Sequence, residues 1–414
     1  MARPYLILIL ISNFKNLKNN LKTLFFAILL FCTFIGCKEL YESPVKSPKS
    51  GYLVVEGAIN SGDGATIITL SRTTALENVQ KLYEKGAKVS IEGEDKSSQI
   101  LKEKTIGNYE GENLKFNPNL KYRLKVITAS EKTYQSDLVP VNENPPMDSL
   151  TWKREKNGGV QFYINTKGPK NNSNYYQWEY NETWEYHAEK TSAIKYEIVN
   201  QSFNRQTYKA VFRYPKTPGV FDSSLFFCWQ QHTNSNLLIA NSEKLTADVI
   251  YQPLVFIPFS SPKFNILYSI KVKQLSLTKE GYEFLERMQK NTEKTGSIFD
   301  AQPSQLNSNI HNINDANEPV IGFITICPIR EKRIFLNKNN FPDWEFQKFY
   351  CEYDTLQNTN TDITARGKNL IPTFNGPCNG CEALDIKIFY AALPSCVDCT
   401  TQGGKNIRPS FWPK

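Results

Sequence analysis

Histidine and methionine are scarce here, three of each in 414 residues, and no apolar run reaches the roughly twenty residues that a bilayer-spanning helix needs. His187, His232 and His311 are far apart. None belongs to an HExxH motif, and none has a second histidine four residues on to share a metal. A Ser-His-Asp or Cys-His site could be assembled only in space, because no GxSxG elbow nominates a serine. The Walker loop and the GxGxxG fingerprint are missing, which removes support for nucleotide binding. No Lys/Arg run forms a basic stripe, so nucleic acid is not an expected partner. There is no internal repeat. No cofactor and no bound metal are expected.

Aromatic side chains are plentiful, with 25 Phe, 21 Tyr and 6 Trp. Together with frequent β-branched residues they favour strands over helices. A chain of this length can bury two or three cores.

The N-terminus carries the anatomy of a bacterial lipoprotein signal. Lys15, Lys18 and Lys22 precede an apolar stretch from Leu24 to Ile35, then Gly36 and Cys37. From Leu24 to Gly36 is thirteen residues, too short to span, and Lys38-Glu39 close the run. Residues 1–36 are therefore expected to be a cleaved signal, and Cys37 a lipidated first residue holding the protein to a membrane. Loss of that segment removes four basic residues and no acid, lowering the net charge from +8 to +4. A second short apolar run, Tyr5 to Ile11, precedes the basic region. It suggests that translation starts near Leu17 or Leu21 from a non-AUG codon. Residues 37–50, polar and with two prolines, read as a tether. The charged pair Lys38-Glu39 is expected to act as a sorting cue between the periplasmic and the cell-surface face.

Residues 51–144 read as an Ig-like β-sandwich: short apolar segments at Tyr52–Gly57, Thr66–Leu70, Ala87–Ile91, Tyr122–Val126 and Tyr134–Ser136, separated by turn residues. Asn144-Pro145-Pro146 is a boundary, since two prolines continue neither a ladder nor a helix. Residues 145–414 read as a second, larger β-sandwich. Its strands include Val160–Ile164, Tyr175–Tyr186, Phe226–Trp229, Val249–Phe259, Tyr268–Val272, Val320–Ile326 and Lys332–Leu336. One helix interrupts them near 279–294, with Thr278 as its cap, Gly296 as its stop, and Phe284, Leu285 and Met288 as an apolar stripe that should pack on the sandwich. Beyond Asn337 the pattern is irregular.

Seven cysteines follow Cys37: Cys228, Cys327, Cys351, Cys378, Cys381, Cys396 and Cys399. Cys378-x-x-Cys381 and Cys396-x-x-Cys399 approach zinc-ribbon spacing. In an exported protein disulfides are the stronger expectation, and an odd count leaves at least one thiol free and buried. Spacing does not settle the pairing. A redox-active CxxC would want a thioredoxin-like frame, which is missing.

Glu179, Glu182 and Glu185, with Trp178 and Trp184, have the composition of a sugar site. A glycosidase pair needs its carboxylates about 5–10 Å apart. Strand alternation puts Glu182 on the face opposite Glu179 and Glu185, and six residues of strand separate those two by roughly 20 Å. One aromatic core face and one polar face is the better reading.

Several ordered landmarks resemble a known family: Tyr52–Gly57, Leu70-Ser71-Arg72-Thr73, Tyr175–Tyr180 with Glu182-Thr183-Trp184, Cys228-Trp229, Tyr268-Ser269-Ile270, Gly296–Asp300 with Gln302-Pro303, Cys396–Cys399 and Phe411-Trp412. Together they resemble domain of unknown function 4249, a lipoprotein family of Bacteroidota. The resemblance implies an outer-membrane lipoprotein, often encoded beside TonB-dependent receptors, with no known activity. It also implies that Cys378 and Cys381 close on each other or within their loop, while Cys396 and Cys399 reach Cys351 or Cys228. Where the family usually has Gly-Asn-Ile, this chain has Ser308-Asn309-Ile310. A glycine serving a positive φ there would leave Ser308 strained or the loop altered. The expected function is that of a non-enzymatic accessory or binding protein partnered by a TonB-dependent receptor in nutrient uptake. A surface hydrolase of glycans or peptides and a purely structural envelope protein are the alternatives.

Overall fold

A computed structural model describes residues 51–74, 80–168, 175–202, 205–217, 220–245, 247–293, 307–344, 350–373 and 386–414. Cys37, the expected tether, Gly296, Cys378 and Cys381 lie outside them. Residues 51–414 form one compact unit. It is mainly β.

The first strands are β1 (Leu53–Glu56), β2 (Ile59–Asn60), β3 (Thr66–Arg72), β4 (Leu82–Tyr83), β5 (Lys88–Gly93), β6 (Ser98–Thr105), β7 (Asn108–Gly111), β8 (Lys121–Ile127), β9 (Thr133–Ser136) and β10 (Val139–Pro140). They run in the order β1-β3-β7-β6-β5-β8-β9, with β4 beside β3 and β10 beside β8. Alternation explains why they pair as they do. In β8, Tyr122, Leu124 and Val126 are buried, while Arg123 and Lys125 turn outward and both donate to Glu92 on β5. The core is Leu53, Val55, Ile68, Leu70, Val89, Ile91, Leu124, Val126 and their neighbours.

The next group is β11 (Met147–Arg154), β12 (Val160–Lys167), β13 (Tyr175–His187), β14 (Ile194–Ser202), β15 (Arg205–Phe212), β16 (Phe227–Thr233), β17 (Leu238–Asn241), β18 (Val249–Ile257) and β19 (Leu267–Ser276), followed by helix α1 (Lys279–Glu293). Two sheets, β11-β12-β18 and β16-β13-β19 with a further strand described below, enclose a core that includes Phe162, Ile164, Tyr176, Trp178, Phe264, Tyr268 and Ile270. Polar atoms within it are matched. Gln274 accepts from Thr166 and Trp178 and donates to Asn144 and to the Pro145 carbonyl, so the Asn-Pro-Pro boundary is tied down by the second core. Helix α1 starts as its cap predicts: the Gly281 amide donates to Thr278 Oγ1 at 3.1 Å. Phe284 is buried, and its ring centroid is 5.6 Å from that of Phe323.

After α1 the chain goes back to the first sheet. β20 (Ile310–Asn312) pairs with β9, and β21 (Ile326–Cys327) runs parallel to β2. Ile310, Val320, Ile324 and Ile326 are members of the first core. The chain then crosses to β22 (Arg330–Leu336), the edge partner of β19. The continuous strand expected over Val320–Ile326 is not formed. Gly322 sits at φ +144°, where a Cβ would lie 2.3 Å from the Val55 carbonyl. That close approach allows only isolated backbone bonds, Val55 N to Ile321 O and Ile321 N to Leu53 O. Ser308 is not strained: it lacks a positive φ, and its hydroxyl donates to the Gly322 carbonyl at 2.6 Å and accepts from the Ile310 amide at 3.0 Å. Asn309 completes the turn by exchanging both side-chain bonds with the Ile324 backbone.

The returning segment is also clasped electrostatically. Glu318 accepts from Tyr134, Lys132 and Asn312, and Arg72 bonds Glu84 and Tyr134 beside it. Burial alone would raise the Glu318 carboxyl; the bonds from Lys132, Tyr134 and Asn312 outweigh it and hold the group below its ordinary 4.5. A depressed carboxyl contributes stability above its unfolded value and loses it as pH falls through the folded one. Glu318→Gln should therefore be less stable than the native chain near about pH 7, and the gap should close in acid. Urea midpoints across pH would measure this; a gap that widens in acid would refute the assignment.

The irregular C-terminus expected beyond Asn337 is corrected. β23 (Asp354–Gln357), β24 (Ile371–Thr373) and β25 (Ile388–Ala392) form a small sheet in the order β23-β25-β24. It shares a core with the β14–β15 hairpin through Ile194, Phe212, Leu356, Phe389 and Ala391. Strands this short carry too little alternation to show in sequence, and non-local packing decides them.

Candidate functional site

One largely apolar cleft, of about 480 Å³, is built where β13, β19, α1, β1 and the segment 321–325 meet. The outward face of β13 contributes Gln177 and Glu179, whose register partners on β19 are Leu275 and Lys273. Phe284, Leu285 and Met288 come from α1, and Val54 to Ala58 from β1 and the turn after it. Two glycines keep it open and closely walled. A Cβ on Gly281 would meet the Phe323 ring at 3.1 Å, and Gly322 lets the 321–323 backbone press on β1. The charged lining groups are Glu56, Glu179 and Lys273. Lys81 pairs with Glu56, and Lys273 is 3.8 Å from Glu331.

The aromatic and acidic strand β13 places its three glutamates in three separate surroundings. Glu179 is exposed. Glu182 is 1% exposed and accepts three bonds, from Lys263 Nζ at 2.7 Å, Tyr268 OH at 2.9 Å and His232 Nδ1 at 3.1 Å. Burial, then the charge of Glu182, pushes the Tyr268 hydroxyl well above its ordinary range, so it remains a donor. Lys263 also lies over the Trp184 ring, 4.7 Å from its centroid. Glu185 accepts from Trp412 Nε1 at 2.7 Å and faces His187 Nε2 at 2.9 Å. Burial would raise this carboxyl, but the His187 and Trp412 bonds hold it below the usual range. No two of these carboxylates share a site, as the alternation predicts. The buried charge of Glu182 within the aromatic face is what sequence did not reveal; it is stable only because three donors from β16, β19 and the 262–264 turn converge on it.

The third histidine, His311, is exposed beside Asp137. Each histidine thus has a different carboxylate partner. Among the described residues no group of three or more His, Cys, Asp or Glu could hold a metal ion.

Cys228 is bonded to Cys399, and Cys351 to Cys396. The second CxxC of the zinc-like array therefore spends its thiols on two separate disulfides. Cys327 is free and fully buried, and burial pushes its thiol up to about 11. Around the first bridge the C-terminus is clasped: the Tyr186 hydroxyl donates to the Cys399 carbonyl, Lys405 bridges Trp229, and Arg333 lies 3.6 Å from the Phe411 ring centroid.

No curated protein matches the chain. The landmarks of strand β1, strand β13 and the Cys228-Trp229 pair fall within a match of residues 38–333 to a family described as a domain of unknown function. That match covers well over half of the 414 residues, and the chain belongs to the family, DUF4249.

Proposed function

We propose that the protein is a lipid-anchored outer-membrane component that binds a small ligand and serves a TonB-dependent receptor in nutrient uptake, without catalysing a reaction. The cleft beside α1 carries this reading. Its volume falls within the roughly 300–1,000 Å³ of small-molecule sites, and its lining is mostly apolar with a few polar groups. The anchor is read from Cys37 behind the Leu24–Gly36 run. The receptor partner is inferred from the company that the family keeps.

A hydrolase has less support. Glu182 spends both oxygens on Lys263, Tyr268 and His232, and Glu179 and Glu185 are too differently placed to join it.

Deleting the gene should slow uptake of the nutrient carried by a neighbouring receptor. Met288→Trp, which adds an indole to the cleft lining, should reproduce most of that loss at unchanged abundance. Full uptake in Met288→Trp cells would remove the cleft from the mechanism. A deletion strain with normal uptake would remove the receptor.

A further inference from the structure

We infer that the cleft selects hydrophobic cations and that Glu179 reads the charge; this deepens, and rests on, the binding role proposed above. Of the three charged side chains in the lining, two are engaged: Glu56 by Lys81, and Lys273 with Glu331. Glu179 stands opposite Lys273 in the β13–β19 register, yet its carboxylate makes no ion pair among the described residues. Its polar contact is the side-chain amide of Gln177, at 3.5 Å. Leu237, Leu275, Phe284, Leu285, Met288 and Phe323 supply apolar surface in the same cleft. A ligand with an apolar body and an ammonium or guanidinium end would bury the one against these side chains and give Glu179 the counterion it lacks. An anionic end would meet the unpaired Glu179, while the lining's lysine, Lys273, already faces Glu331. Charge complementarity thus favours the cation.

The test uses a matched pair of probes, 4-phenylbutylammonium and 4-phenylbutanoate. Each is titrated calorimetrically into the full chain carried in phospholipid nanodiscs, with empty nanodiscs subtracted. The ammonium probe should bind about tenfold tighter at low salt, the combined effect of one attraction gained and one repulsion avoided at a partly exposed site. The preference should shrink at about 0.5 M salt and disappear in Glu179→Gln. That exposed position can change without disturbing the core. Equal affinity, or a preference for the carboxylate, overturns charge selection while leaving the cleft a binding site. Failure of both probes to bind overturns this inference and the cleft's proposed role together. Ammonium binding that is unaltered in Met288→Trp would place it elsewhere and overturn the inference too.

Discussion

Glu182→Ala should lower stability by about 3 kcal/mol, the lower end of what removing one partner from a buried charge network costs. The exposure of the partners sets that end of the range. Lys263 is 23% exposed and His232 is 55% exposed, so both can recruit water when the carboxylate is gone. The Tyr268 hydroxyl cannot, because Tyr268 is fully buried, and an unsatisfied buried donor costs about 1–3 kcal/mol. Tyr268→Phe in the native background should cost only about 1 kcal/mol, since Glu182 keeps two other donors. Adding Tyr268→Phe to Glu182→Ala should then recover part of the loss, because no donor is stranded. Chemical denaturation of the four proteins forms the cycle. Purely additive losses would show that Tyr268 and Glu182 are not coupled.

Replacing both Cys228 and Cys399 with alanine should cost about 2–5 kcal/mol, toward the upper end. The bridge joins positions 171 residues apart, and the entropy withdrawn from the unfolded chain grows with the logarithm of loop length. The pair is also buried beside Ala188, so two sulfur-sized voids add to the loss. The Cys351/Cys396 pair closes 45 residues and should cost less. Protease sensitivity separates the two. Without the first bridge, residues 400–414 should be cut early, since non-covalent contacts such as those of Lys405, Phe411 and Trp412 are then what holds them. Without the second, the β23–β25 sheet should open first. Equal cleavage patterns in both variants would show that the bridges do not staple separate elements.

Strands of five or more residues with regular alternation were legible: β3, β5, β8, β12, β13 and β19 stand where apolar and polar residues alternate. The helix was legible too, from Thr278 to its apolar stripe. For the cleft, only the stripe of α1 and the polar face of β13 could be read. Nothing local indicates that Gln177 and Glu179 face Val54 and Phe323, because those contacts span more than a hundred residues.

Periodicity and composition suffice for a mainly β chain and for the two faces of β13, because each depends on neighbours a few residues apart. The tertiary structure alone decides the rest. The return of residues 310–327 to the first sheet, the pairing of Cys228 with Cys399, the convergence of Lys263, His232 and Tyr268 on Glu182, and the cleft itself are all meetings of distant segments. Their cost is loop closure, and their reward is burial that only the assembled cores provide.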